Sequence, residues 1–377
     1  MLSSESCCLR ELSRATGANL PILASTNSAE CPCSQPSWLH HQCCGPLQVY
    51  NRMPSASAVV MQTHVATASI ASHMALAQRQ LSAKGIGFFV NFLVGDGEHD
   101  RCPEPGEGHP ALDLLRATIG NASVWCVAPS DHLAIWPNFH RNISAFAAKA
   151  TNYRKPTAIG GIHWAWLLCD LHAMVGAYRH RLFAQPLAPE FLWVFDYDIS
   201  WVGDLAAFIR AFEHDTSDLL VAKDNGQAVA KRNGRGDLTY AQVEVRNYLD
   251  LGEVYSALLA PVRYSRRILA AMRGLVGDGS MAFCETRGPS LCHHKNNSWC
   301  RQGSMMELRP DLFNKNFSCC KSHSERYARE RTFFWEQIPA ATRPPCQLLH
   351  RVKLDDRVKR AVTSQQRIDR HSEKQLG

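Results

Sequence analysis

Phe191-Leu-Trp-Val-Phe-Asp-Tyr-Asp-Ile199 is an apolar run that stops on two carboxylates, Asp196 and Asp198, one residue apart. So short and so apolar a run has the character of a strand covered on both faces, as in sheets with helices on either side. The acids then fall where open α/β sheets keep their ligand crevice, outside the carboxyl ends of the strands. Alternate residues of an extended segment point the same way, so both carboxylates are expected to face one cation. Two hard oxygen donors suit Mg²⁺ or Mn²⁺. An isolated pair of this kind more simply caps a helix or fills a turn. Against that stands the cost of ending a buried strand in two charges unless something positive arrives.

Working outward, strand-like and helix-like patterns alternate. Gly87-Phe-Phe-Val-Asn-Phe-Leu-Val94 opens the series and Ser123-Val-Trp-Cys-Val-Ala128 follows as a second strand. Trp164, Leu167, Leu168, Leu171, Val175 and Tyr178 recur at three- and four-residue intervals, which predicts a helix over 164–184. Downstream come a helix near Leu205 to Phe212, strands at Leu219 to Ala222 and Tyr255 to Leu259, and a helix from Ser265 to Leu275. Asp204, just before Leu205, is placed to cap the first of these helices. The pattern predicts an α/β fold: a Rossmann-type mixed sheet flanked by helices, forming one catalytic domain over residues 83–353.

Residues 1–82 are serine-rich, hold only Glu5, Glu11 and Glu30 as acids in the first 80, and show no sustained period. They are expected to be a disordered, targeting or stem segment. The best candidate anchor, Ala58 to Ala77, is interrupted by Gln62, His64 and His73, so an N-terminal membrane association is not clearly visible. The net charge of +7 is concentrated at the end: from Arg351 onward eight Lys or Arg face four Asp or Glu. That makes 354–377 a solvated basic tail, and nothing in it interleaves aromatics with charge as a nucleic-acid surface would.

Fifteen cysteines form two main groups, six before residue 45 and six from Cys284 to Cys346. The spacing of Cys284, Cys292 and Cys300 does not match a zinc knuckle, so disulfides are the expectation, with His293, His294 and His323 the residues a zinc alternative would use. Four sequons, at Asn121, Asn142, Asn296 and Asn316, fit the same oxidising compartment. The expected location is the Golgi or another secretory lumen, with an organellar transit peptide as the alternative.

With these residues in place a resemblance is apparent. Phe191 to Leu205, followed by Ser217-Asp-Leu-Leu-Val-Ala222, resembles the core of the GT-A-fold nucleotide-diphospho-sugar glycosyltransferases that carry a D-x-D motif. The resemblance extends from about Gly87 to Lys353. It implies a metal-dependent transfer of a sugar from a nucleotide-diphosphate donor to a glycan or glycoconjugate acceptor, with Mn²⁺ or Mg²⁺ as cofactor. By that similarity Asp196 and Asp198 bind metal and donor, His350 completes the metal shell, and Lys353 approaches the diphosphate. Glu285 faces the acceptor as the base of an inverting reaction, unless it pairs with Arg287 in its cysteine-rich loop. Two rivals remain. In a haloacid-dehalogenase-type phosphohydrolase Asp196 would be the nucleophile and Asp198 the general acid. In a non-catalytic lumenal binding protein the acidic pair would be structural.

Overall fold

A strand that the sequence pattern does not reveal, β1 (Ser57–Thr63), lies inside the sheet beside its middle strand. The computed structural model describes residues 57–94, 101–104, 107–142, 164–184, 188–227, 254–280, 284–294, 298–313, 333–334, 346–349 and 352–353. After β1 come α1 (Ala68–Ser82), β2 (Gly87–Leu93), α2 (Pro110–Ile119), β3 (Val124–Val127), α3 (Pro129–Ile135) and α4 (Trp164–Arg179). The chain continues through β4 (Phe191–Asp196), β5 (Ser200–Gly203), α5 (Leu205–Arg210), β6 (Leu219–Gln227), β7 (Tyr255–Ser265), α6 (Arg266–Gly277), α7 (Cys284–His293) and β8 (Gln302–Ser304). Short strands β9 (Phe333–Phe334), β10 (Cys346–Leu349) and β11 (Val352–Lys353) follow.

Seven strands form one sheet in the order β3-β2-β1-β4-β7-β6-β8. Its first four members are parallel, β7 runs antiparallel to both its neighbours, and β8 pairs parallel with β6. The mixed sheet expected from the sequence is therefore present. Separately, β10 pairs with β5 and β11 with β9.

Alternate side chains of each strand feed two cores. Val59 and Met61 join Ile70 and Met74 of α1, Leu112 and Leu115 of α2 and Phe208 of α5 on one face. Ala58 and Val60 join Leu171, Met174 and Val175 of α4, Ile268 of α6 and Leu291 of α7 on the other. With both faces covered, a strand loses its polar alternation and reads as a continuous apolar run. Local signals start three of the helices, the Asp204 cap as expected. The Asp204 carboxylate accepts the Ala206 N–H at 3.0 Å, and the hydroxyls of Thr67 and Ser265 cap α1 and α6.

Two boundaries need correction. The segment expected to be disordered or a targeting stretch through residue 82 contains β1 and α1 from Ser57 onward, so the domain starts well before residue 83. Gln62 and His64 mark the end of a buried strand, and His73 is buried in the helix that follows. Residues 1–56 and the tail from 354 lie outside the described residues. Among the described residues no helix is long and apolar enough to cross a membrane. The strand expected at Tyr255 to Leu259 runs on to Ser265, because it is the shared antiparallel partner of β4 and β6.

Candidate active site

Asp196 ends β4, and the Ile199 N–H donates to its carbonyl oxygen at 3.0 Å, closing a tight turn around Tyr197 and Asp198. Asp196 thus closes the extended segment expected from the sequence, while Asp198 sits on the turn that follows it. Beneath the turn, the His73 ring packs on Trp201 at 4.2 Å. Burial pulls His73 down to about 4, so it supplies no positive charge at neutral pH. Beside it, Gln62 of β1 is in register with Asp196, and its Nε2 donates to the Asp196 carboxylate at 3.4 Å. Tyr197 meets the ring of His64 edge to face at 5.2 Å.

The electrostatics identify this corner. Burial pushes the Asp196 carboxyl up to about 7, and the neighbouring Asp198 adds to the shift. The Gln62 hydrogen bond opposes it, while Glu285 and Asp170 raise it further. Burial and the two aspartates also lift Tyr197 to about 12. Like charges gathered at a partly buried strand end hold one another's protons. Glu285 therefore stands within electrostatic reach of Asp196, on a different element from the one expected. Glu285 lies in the first turn of α7, not in a loop. Arg287, considered above as its partner, makes a 2.6 Å ion pair with Asp170 of α4.

The remaining expected residues are less defined. Lys353 belongs to β11, paired in parallel with β9, and His350 lies outside the described residues. Among the described residues no group of three or more His, Cys, Asp or Glu side chains is arranged to hold a metal ion. Sequence reasoning missed Gln62 and Asp170. Gln62 had a signal, since it ends an apolar run, Ala58 to Met61, much as Asp196 ends its own. Of the disulfides expected in the later cysteine group, Cys292–Cys300 ties the end of α7 to the segment before β8; Cys102–Cys126, outside both groups, joins the loop after β2 to β3.

No family model and no curated protein matches the chain. Among solved structures, mouse xyloside xylosyltransferase 1 in its apo form aligns over 79% of this chain and 98% of its own, with 9% identity and a TM-score of 0.35. The mannosyltransferase Ktr4p from S. cerevisiae aligns over 77% of this chain and 75% of its own, with 8% identity and a TM-score of 0.31. For its complex with GDP the values are 82%, 78%, 8% and 0.30.

Proposed function

We propose that the chain is a glycosyltransferase that moves a sugar from a nucleoside-diphosphate donor to a hydroxyl of a glycan or glycoconjugate, assisted by Mg²⁺ or Mn²⁺ at Asp196 and Asp198. One observation carries this: Asp196 lies at the carboxyl end of a central strand beside Asp198, and burial first, then the charges of Asp198, Glu285 and Asp170, push its carboxyl up to about 7. Crowded carboxylates on a ligand-facing edge are stabilised by a cation, and binding one releases the proton that Asp196 holds. Hard carboxylate oxygens fit a divalent ion of this class. Such an ion would offset the charge that builds on the departing diphosphate.

The chain's own groups divide the remaining work. Glu285 accepts the proton of the attacking hydroxyl. Lys353 approaches the diphosphate, and His350 is a candidate third ligand. Clustered cysteines and an exposed Asn121 sequon fit a secretory lumen.

A thermal-shift panel of nucleoside diphosphates with and without Mn²⁺ tests the proposal. A ligand that binds only the folded state raises its melting temperature. The expected result is a rise that needs Mn²⁺ and disappears in Asp198→Ala. A flat response to every nucleotide in wild type would sink the proposal.

A further inference from the structure

Asp170 is an anomaly in its own helix. Its neighbours Leu171, Ala173, Met174 and Val175 are all buried, and Asp170 itself is 2% exposed. A carboxylate in such surroundings is costly unless it is paired and hydrogen-bonded. Arg287 of α7 meets one oxygen at 2.6 Å, and the Tyr264 hydroxyl of β7 donates to the other at 3.1 Å. Three elements therefore converge on one buried carboxyl.

Stability does not account for the arrangement. Replacing a buried ion pair by apolar residues of similar size is often neutral or stabilising, because desolvation consumes most of the attraction. What an ion pair provides that apolar packing lacks is a sharp dependence on position, since charges at close range in a low-dielectric interior resist displacement. Helix α7 needs such a constraint. Gly288 sets how closely it approaches the sheet, because a Cβ there would lie 3.1 Å from a Leu219 methyl and 3.8 Å from the Tyr264 ring. Close approach alone leaves sliding and rotation open. Arg287, anchored to α4, removes both, and Glu285 stands two residues away in the same helix.

We propose that Asp170 and Arg287 are positioning residues whose buried ion pair fixes the slide and rotation of α7, and with them the position of Glu285 in its first turn. The proposal rests on the glycosyltransferase reading for the role of Glu285, but its mechanical part does not. An ångström of misplacement in a catalytic group is enough to cost about a hundredfold in rate.

The test uses the full chain and the variant Asp170→Leu/Arg287→Met, which keeps the interior apolar. Melting temperature, nucleoside-diphosphate release from a panel of nucleoside-diphosphate sugars with Mn²⁺, and hydrogen exchange in the peptide over Cys284 to Gly288 are read together. Expected are a melting temperature within a few degrees of wild type, a kcat at least about tenfold lower with donor KM within about threefold, and faster exchange in that peptide. An unchanged kcat in a folded variant overturns the proposal. If the double variant fails to fold, Arg287→Lys preserves the charge but shortens its reach, and an unaltered kcat there overturns it equally. Should wild type cleave no donor while exchange still rises in the variant, the transferase reading fails and the anchoring of α7 stands. Unaltered exchange overturns the anchoring itself.

Discussion

Asp196 and Asp218 are two aspartates at strand ends of one sheet, and their surroundings are opposite. Asp196 closes β4 at its carboxyl end, whereas Asp218 immediately precedes β6, which runs parallel to β4, so it lies at the other end of the sheet. Burial tends to raise Asp218, but Arg267, the Ser265 hydroxyl and the Arg301 N–H more than offset it and hold its pKa below the ordinary range. Those contacts run from 2.6 to 3.1 Å. A few residues back, Asp215 pairs with Arg263, which is 1% exposed and also donates to the carbonyls of Phe212, Asp215 and Ser217. The amino end of β6 is thus neutralised from within, while the corner at Asp196 gathers further acids. A satisfied acid belongs to the fold, and a crowded one is positioned for a cation or a proton.

The largest effects should separate the two ends completely. Asp198→Ala is expected to lower transfer by about a thousandfold or more, as loss of a group that stabilises transition-state charge does, with little change in melting temperature. Arg263→Met should do the reverse, destabilising the fold by about 3–5 kcal/mol because Asp215 loses a buried partner, with turnover per folded molecule unchanged. Denaturant titration beside donor turnover checks both. A stable but inactive Arg263→Met protein would dissolve the contrast.

Acidity should sharpen it. Asp196 has a folded pKa of about 7 against an ordinary aspartate value of 3.8, so the folded state binds more protons between those values. Its contribution to stability is fully present below about pH 4 and is lost as pH rises through about 7. Asp218 has the opposite sign, contributing above its unfolded pKa and failing as pH falls through its lowered folded value. Melting temperatures of the metal-free protein are therefore expected to fall between pH 5 and pH 7.5, a decline that Asp196→Asn flattens. Identical profiles in the two proteins would show that Asp196 is not held in a proton-binding environment.

This contrast was half legible in the sequence. The run Phe191 to Phe195 and the acids after it announce a buried strand and its ligand edge, because apolarity and abrupt charge are local properties. Ser217-Asp-Leu-Leu was equally legible as the opening of the next strand, but not that this opening lies at the far end of the sheet from Asp196. Which acid gains an arginine is decided by β7 and α6, more than forty residues away. Helix α7 was hidden for another reason. Cys284-Glu-Thr-Arg-Gly-Pro-Ser puts Gly288 and Pro289, the two poorest helix formers, in the middle of the helix, and packing on β7 overrides them. β1 was hidden because its short apolar run, Ala58 to Met61, merges with the alanine-rich segment after it into one interrupted stretch, Ala58 to Ala77, with no glycine or proline to mark where strand gives way to helix.

The smallest expected effect tests the finest distinction. Gln62 donates to Asp196 over 3.4 Å, a long contact from the adjacent strand, and its Oε1 is buried without a partner among the described residues. At Asp218 the Ser265 hydroxyl donates at 2.8 Å within a full set, and it also caps α6 by accepting the Ile268 N–H. Ser265→Ala should therefore cost about 2 kcal/mol of stability, the hydrogen bond and the cap together, and leave nucleotide binding alone. Gln62→Leu removes a donor that orients a proposed metal ligand, so its effect should appear in Mn²⁺-dependent nucleotide affinity, weakened about three- to tenfold. Stability should change little, since the substitution also removes a buried oxygen that had no partner. Calorimetric titration of nucleoside diphosphate against the two variants decides between them. If Gln62→Leu alters only stability, the row at Asp196 is built like the one at Asp218, and the case for a working site must then rest on Asp198 and Glu285 alone.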